Sequence, residues 1–227
     1  MPALGLEDQI VDQRVFDRAV GRFRKAEIVL PTFAELAEPG RIPHRIRRAL
    51  ADVPPGQAHP LNLFRAHWHN SPGRTGQVPV PVYAELPGEL TGVDARIVVA
   101  IGDLFPMIRS YKMLAAYGCL APHVITGQFD PRANRVIWPS TGNYCRGGVA
   151  ISRLMQCRGV VVLPEGMRPE WSARTSAPPC YSPGCAVAEA ETGVQPGWRS
   201  EGLRWTSPLT ALRCRPTSRR VSTCSMC

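Results

Sequence analysis

The chain has 227 residues, 44% of them hydrophobic and 20% charged, a composition typical of globular proteins rather than of disordered or fibrous ones. Its formal net charge is +9, but the basic residues are dispersed, which argues against a nucleic-acid partner. No apolar run is long enough to span a membrane, and Glu7, Asp8 and Asp12 stand where a signal peptide needs basic and apolar residues. We therefore expect a cytoplasmic protein without membrane contact, whose cysteines are reduced.

Residues 1–52 are predicted to form a helical segment. Apolar residues between Ile10 and Phe23 recur at helical spacing. Thr32 and Glu35 have the spacing of a capping box that opens a short second helix. Residues 43–51 predict a third helix with Ile46 and Leu50 on one face. These helices are expected to pack and to carry no chemistry.

Residues 53–167 are predicted to form an α/β region, and residues 53–96 begin it with loops and short strands rich in proline and glycine. His67 and His69 could share a strand face and bind a metal. Neither a cysteine nor an acidic residue lies near them, so we expect no metal site.

A regular α/β pattern follows. Residues 97–101 are an unbroken apolar run, which predicts a strand buried on both faces of a parallel sheet. The pattern then predicts a helix from Tyr111 to about Leu120, strands over 123–126 and 135–138, a helix over 146–156 and a strand over 159–163. The last strand–helix–strand series is a βαβ unit, so the predicted fold class is α/β with a parallel sheet.

Two segments of this region carry groups suited to chemistry. Lys25 and Lys112 are the only lysines among 27 basic residues, and lysine, unlike arginine, can act as an amine nucleophile. Lys112 lies at a predicted helix start, where the backbone N–H groups favour an uncharged amine. The second segment, residues 140–143, lies at a strand-to-helix turn and suits a carboxylate or phosphate.

Three neighbours of the second segment allow two interpretations each. Gly147 and Gly148 would let the backbone approach a ligand, or they would serve helix packing. Cys145 could be a reactive thiol or a structural residue at a helix start.

Both segments resemble sequences of one enzyme family. Ser110-Tyr111-Lys112 is similar to the Ser-x-Lys of the fold-type II pyridoxal-phosphate enzymes, the group of cysteine synthase and the tryptophan synthase β-chain. Ser140-Thr141-Gly142-Asn143 resembles the Ser/Thr-Ser/Thr-Gly-Asn loop of the same group, at a similar separation. Residues 163–167 (LPEGM) resemble the end of the family's next strand. Pro60-Leu61 resembles its Thr-Pro-Leu segment, with His59 in place of the threonine.

The resemblance implies a cofactor, a reaction class and a set of site residues. Lys112 would hold pyridoxal 5'-phosphate as a Schiff base and would move the α-proton of the substrate. Asn143 would bond the ring hydroxyl of the cofactor, and Ser140, Thr141 and Gly142 would bind the substrate carboxylate. The implied reaction is β-elimination or β-replacement on a small amino acid, in a homodimer.

The segment 168–227 differs from the rest of the chain. It is rich in arginine, serine, proline and cysteine, contains neither isoleucine nor phenylalanine, and resembles no further part of the family. We expect it to be disordered. We interpret the change after Met167 as translation in a shifted reading frame, so that the enzyme-like part is a fragment. The alternative is a natural tail that binds zinc through Cys180, Cys185, Cys224 and Cys227.

A second reading of the whole chain stays open. It is a non-catalytic α/β protein that binds a small anionic ligand at the loop from Ser140 to Asn143. The two readings differ at Lys112, because the enzyme needs its amine and the binding protein does not.

Overall fold

A computed structural model describes residues 9–140, 142–164, 186–190 and 224–225. The helices are α1 (Gln13–Lys25), α2 (Phe33–Ala37), α3 (His44–Ala51), α4 (Gly88–Thr91), α5 (Lys112–Ile125) and α6 (Asn143–Leu154). The strands are β1 (Tyr83–Leu86), β2 (Ile97–Ala100), β3 (Arg135–Pro139), β4 (Arg158–Pro164), β5 (Ala186–Ala190) and β6 (Cys224–Ser225). None of the helices in these ranges combines the length and apolar content that a membrane crossing requires.

The parallel sheet contains four strands in the order β5-β4-β3-β6. β3 and β4 are parallel, with Ile137 opposite Val160, and α6 connects them. The predicted βαβ unit is therefore confirmed, and the described chain is a partial α/β fold. Strand β3 agrees with its prediction, whereas α6 begins three residues earlier than predicted, at Asn143.

The main core lies where α5 and α6 pack with β3. Trp138 of β3 is completely buried, and its indole N–H donates to Ser152 Oγ of α6 at 3.0 Å. A Cβ on Gly148 would overlap the Trp138 ring, and a Cβ on Gly147 would lie 2.5 Å from the carbonyl oxygen of Lys112. Of the two interpretations of this glycine pair, the structure therefore shows close packing of α6 against the strand and against the start of α5.

The first two N-terminal helices begin with side-chain caps, of which the second was predicted. Asp12 caps α1 by accepting the N–H groups of Arg14 and Val15. The capping box of Thr32 and Glu35 is present at the start of α2. The apolar face of α3 joins a second, smaller core, which consists of Ile42, Ile46, Leu50, Val53 and Phe64.

Residues 97–101 were predicted to form a buried strand of the parallel sheet, and this prediction is wrong about both the sheet and the burial. β2 pairs with β1 as an antiparallel two-stranded sheet, and its side chains are largely exposed, 48% for Val98 and 43% for Val99. An apolar run predicts a strand but not its partner, and here the partner is the strand just before it in the chain.

The strand predicted over residues 123–126 is also wrong. Helix α5 continues through Gly118 and Pro122 to Ile125. It ends where Gly127 takes a left-handed conformation, φ +73°, which glycine adopts without strain. The Thr126 hydroxyl donates to the Pro122 carbonyl at 2.8 Å and closes the last turn. Glycine and proline within the pattern favour a helix end, but burial of Leu120 and Val124 keeps the helix intact.

Strands β5 and β6 lie in the segment 168–227, for which we expected no regular structure. That expectation fails for these two strands, which extend the parallel sheet on its two sides. The rest of the segment lies outside the described residues, as do Cys180, Cys185 and Cys227. The domain boundaries at residues 52 and 167 stay predictions.

Replacing Gly148 by alanine should lower the free energy of unfolding by about 1–3 kcal/mol, because the new methyl group displaces the buried Trp138 ring. Urea denaturation measures this change as a lower midpoint at constant slope. Gly118→Ala is the matched control, since a methyl group at this position of helix α5 would meet nothing within 4 Å. It should raise the free energy of unfolding by about 0.5–1 kcal/mol. Equal losses in both variants would contradict the packing argument.

Candidate functional site

Lys112 is the first residue of α5 and is half-buried. Its backbone N–H donates to the hydroxyl of the buried Ser110 at 3.3 Å. Its amine, Nζ, lies 4.6 Å from the centroid of the Tyr111 ring, within the range of a cation–π contact. The side chain is therefore held at the helix start by its own neighbours in the motif.

The loop before Lys112 is set by specific contacts and not by a buried strand. Met107 and Arg109 have left-handed backbone conformations, with φ of 56° and 54°, which are unfavourable for residues other than glycine. The Met107 N–H donates to the Pro55 carbonyl at 2.8 Å, and Arg109 forms an ion pair with Asp103. These contacts hold the strained turn that delivers Ser110 and Lys112 to the helix start.

Aromatic contacts made by Trp68 also support this turn. The Trp68 ring stacks on Tyr111 with centroids 5.5 Å apart and packs edge-on against the buried Phe105. This role could not be predicted from the sequence, because residues 67–69 suggested only metal ligands. Folding alone brings Trp68 to the motif, since more than forty positions separate them.

The histidines beside Trp68 have their own contacts. His67 is buried, and its Nδ1 accepts the His69 N–H at 3.1 Å, so the ring proton lies on Nε2, which has no partner among the described residues. His69 Nδ1 lies 3.1 Å from the Val78 carbonyl, to which it donates. The described residues contain no group of three or more histidine, cysteine or acidic side chains placed to hold a metal.

The second segment forms the turn into α6. Ser140 Oγ accepts the Gly142 N–H at 3.1 Å, which leaves the Ser140 hydroxyl proton available to donate. Gly142 is the N-cap and offers no side chain to the first turn, so none of the described side chains caps α6. Asn143 is exposed as the first helical residue. Thr141 lies outside the described residues.

Arg146 adds a cation to this turn. One guanidinium nitrogen, Nη1, donates to Asn143 Oδ1 at 2.8 Å, while Nε is buried and has no partner in the described part of the chain. No role at the site was predicted for Arg146 from the sequence. The predicted helix began at Arg146 and left Asn143 outside it, so the i, i+3 spacing of the pair became a helical one only with the earlier start of α6.

Cys145 lies in the same turn and is completely buried. Its thiol donates to the Gly142 carbonyl at 3.1 Å, and burial raises the pKa of this thiol above its usual value. Of the two interpretations, the structural role fits, because a reactive cysteine needs a lowered pKa and access to solvent.

The glycine pair brings the two segments together. Gly147, one turn after Asn143, packs against the backbone of Lys112, so the starts of α5 and α6 are neighbours. Lys112 and Asn143 therefore lie on helix starts that are adjacent in the fold. Upstream, His59 Nδ1 accepts the Leu61 N–H at 3.2 Å, the capping bond expected of a threonine at that position.

Protein stability should depend on pH through His67. Burial, with a smaller contribution from His69, lowers the pKa of His67 from 6.5 to about 4. Between these values the unfolded chain binds a proton that the native chain does not. The stabilisation that comes from keeping His67 neutral in the native state is thus complete above pH 6.5. As the pH falls towards 4, the free energy of unfolding decreases by about 3 kcal/mol in total.

Urea denaturation of the wild type and of His67→Gln over this pH range measures the effect. The variant should show a shallower dependence of unfolding free energy on pH. His44→Gln, at an exposed histidine of α3, is the control and should keep the wild-type dependence. A wild-type slope in His67→Gln would show that other groups cause it.

No protein-family model matches this sequence, and no curated protein is significantly similar to it. The functional conclusion therefore depends on the residues and geometry of the two helix starts.

Proposed function

We propose that this chain binds pyridoxal 5'-phosphate at the starts of α5 and α6 and belongs by ancestry to enzymes of β-elimination or β-replacement on small amino acids. The observation that carries the proposal is the contact between Gly147 and the Lys112 backbone, which makes Lys112 and the Asn143 turn neighbours. The two motifs of the family resemblance come from separate parts of the sequence, and a common location is what a shared cofactor requires.

The donor set suits this cofactor. Lys112 supplies the chain's one amine in this region, half-buried and held over Tyr111. Asn143 supplies amide N–H groups for a ring oxygen, since its carbonyl oxygen is already bonded to Arg146. A Cβ at position 147 would fill the narrow space between the two helices.

Each described residue has a definable task in this proposal. Bound pyridoxal phosphate supplies the electron sink for charge that develops at the α-carbon of the substrate. Lys112 would hold the cofactor and, once released from it, take up and return the α-proton. The Ser140 hydroxyl, Gly142 and the first N–H groups of α6 would bind the substrate carboxylate. The resemblance gives Thr141, which lies outside the described residues, the same task.

The wider setting follows the same proposal. We place the protein in the cytoplasm, and the free thiols of Cys119 and Cys145 support a reducing compartment. The partner is a small amino acid, and a homodimer is proposed by analogy with the family. No nucleic-acid partner is proposed.

A non-catalytic anion-binding protein is the second candidate. It is favoured by the uncapped start of α6 and by the available Ser140 hydroxyl proton, which together can bind a carboxylate without any cofactor.

Borohydride reduction of the purified chain with pyridoxal phosphate tests the first candidate. Mass spectrometry should find the label on Lys112, and Lys112→Ala should lose it, because the amine forms the covalent link. Lys25, the other lysine, ends α1 and is the internal control for nonspecific labelling. Equal label on both lysines, or none, would contradict cofactor binding.

Lys112→Arg separates the two candidates. The substitution keeps the positive charge but removes the amine chemistry. It should abolish labelling if the chain is a cofactor enzyme. The second candidate would be favoured if the wild type takes no label and if calorimetry finds that Lys112→Arg binds a small carboxylate as tightly as the wild type does.

A further inference from the structure

Arg146 restricts the Asn143 carboxamide to one orientation. The guanidinium group has hydrogen-bond donors only, so the amide atom 2.8 Å from Nη1 is the carbonyl oxygen Oδ1. The NH₂ group of Asn143 then faces away from Arg146. Anything that binds beside Asn143 meets two N–H donors.

The hydrogen bond between Arg146 and Asn143 is exposed, but Arg146 is anchored at one buried atom, Nε. Its Nε has no accessible surface, and the side chain as a whole is only partly exposed. Burial of Nε limits the rotamers of the guanidinium. Exposed pairs at this spacing on a helix contribute little, because both side chains remain mobile.

The charge on Arg146 also affects what Asn143 can recognise. A hydrogen bond from a cation to the carbonyl oxygen polarises the amide and strengthens its N–H donors. Such donors bind an anionic oxygen more tightly than a neutral hydroxyl.

We infer that Arg146 is a positioning residue, which fixes Asn143 as a donor and so selects a ligand oxygen in its deprotonated form. The inference rests on the proposed function, where that oxygen is the ring oxygen of pyridoxal phosphate. Arg146 need not touch the ligand for this role.

A double-mutant cycle on Asn143 and Arg146 tests the inference. Pyridoxal phosphate is titrated into wild type, Asn143→Ala, Arg146→Met and the double variant, and binding is read from the visible absorption of the bound cofactor and from Lys112 labelling. Arg146→Met should weaken binding about tenfold in the wild type, but should have no further effect in Asn143→Ala.

A spectroscopic readout separates positioning from a general structural role. In Arg146→Met the pH at which the bound cofactor changes its absorption should move upward, because the anionic oxygen loses a polarised donor. Arg146→Lys retains the charge and a donor, and should restore part of the affinity and of the spectrum. Arg14→Met, which removes an exposed arginine of α1, should change neither the affinity nor the spectrum.

The two proposals fail in different ways. The role of Arg146 alone is overturned if Lys112 is labelled but Arg146→Met weakens binding tenfold both in the wild type and in Asn143→Ala. It is also overturned if Lys112 is labelled and Arg146→Met leaves the pH of the absorption change where it is in the wild type. Absence of label in the wild type overturns cofactor binding and the role of Arg146 with it. Should Arg146→Met not fold, Arg146→Ala, which also removes the guanidinium, gives the coupling with Asn143 in the same cycle.

Discussion

Close approach at two adjacent glycines is the constraint on which the rest of this structure depends. Gly148 lies against the ring of Trp138, and Gly147 lies against the backbone of Lys112. A strand, the helix that follows it and the preceding helix thus meet within two residues. Because protein interiors are packed at crystal-like density, such a junction has no room for a methyl group. The same two residues therefore determine the core and the arrangement of the candidate site.

The site is held by groups that lie outside it. Trp68 reaches Tyr111 from a loop far earlier in the chain, and buried Asn70 closes that loop by donating to the carbonyls of Arg65 and His67. Met107 and Arg109 keep unfavourable backbone conformations just before Lys112. Strain of this kind persists only where surrounding contacts fix the backbone, and it is concentrated at functional sites.

Local features such as caps and individual strands could be predicted well from the sequence. Which strands pair and which side chains contact each other could be predicted only poorly. The capping box at Thr32, the strand at Trp138 and the crossover through α6 follow from short-range patterns. The prediction for residues 97–101 is wrong because an apolar run carries no information on which strand pairs with it. Helix α5 is longer than predicted because the tertiary burial of Val124 outweighs the helix-breaking tendency of Pro122. At the candidate site, the motifs predicted Lys112 and Asn143, whereas the supporting contacts of Trp68 and Arg146 arise only on folding.

The hairpin of β1 and β2 has a consequence for how the chain behaves in concentrated solution. Within the described residues β2 pairs on one side only, and its outer edge carries Ile97, Val98 and Val99 without a charged residue among them. Natural edge strands usually carry a charge, a proline or a bulge that prevents a second strand from adding to them. The nearest charge, Arg96, is already bound to Glu85 across the hairpin. Within the described residues, this edge therefore lacks the features that keep a natural edge strand from adding a strand of a second molecule.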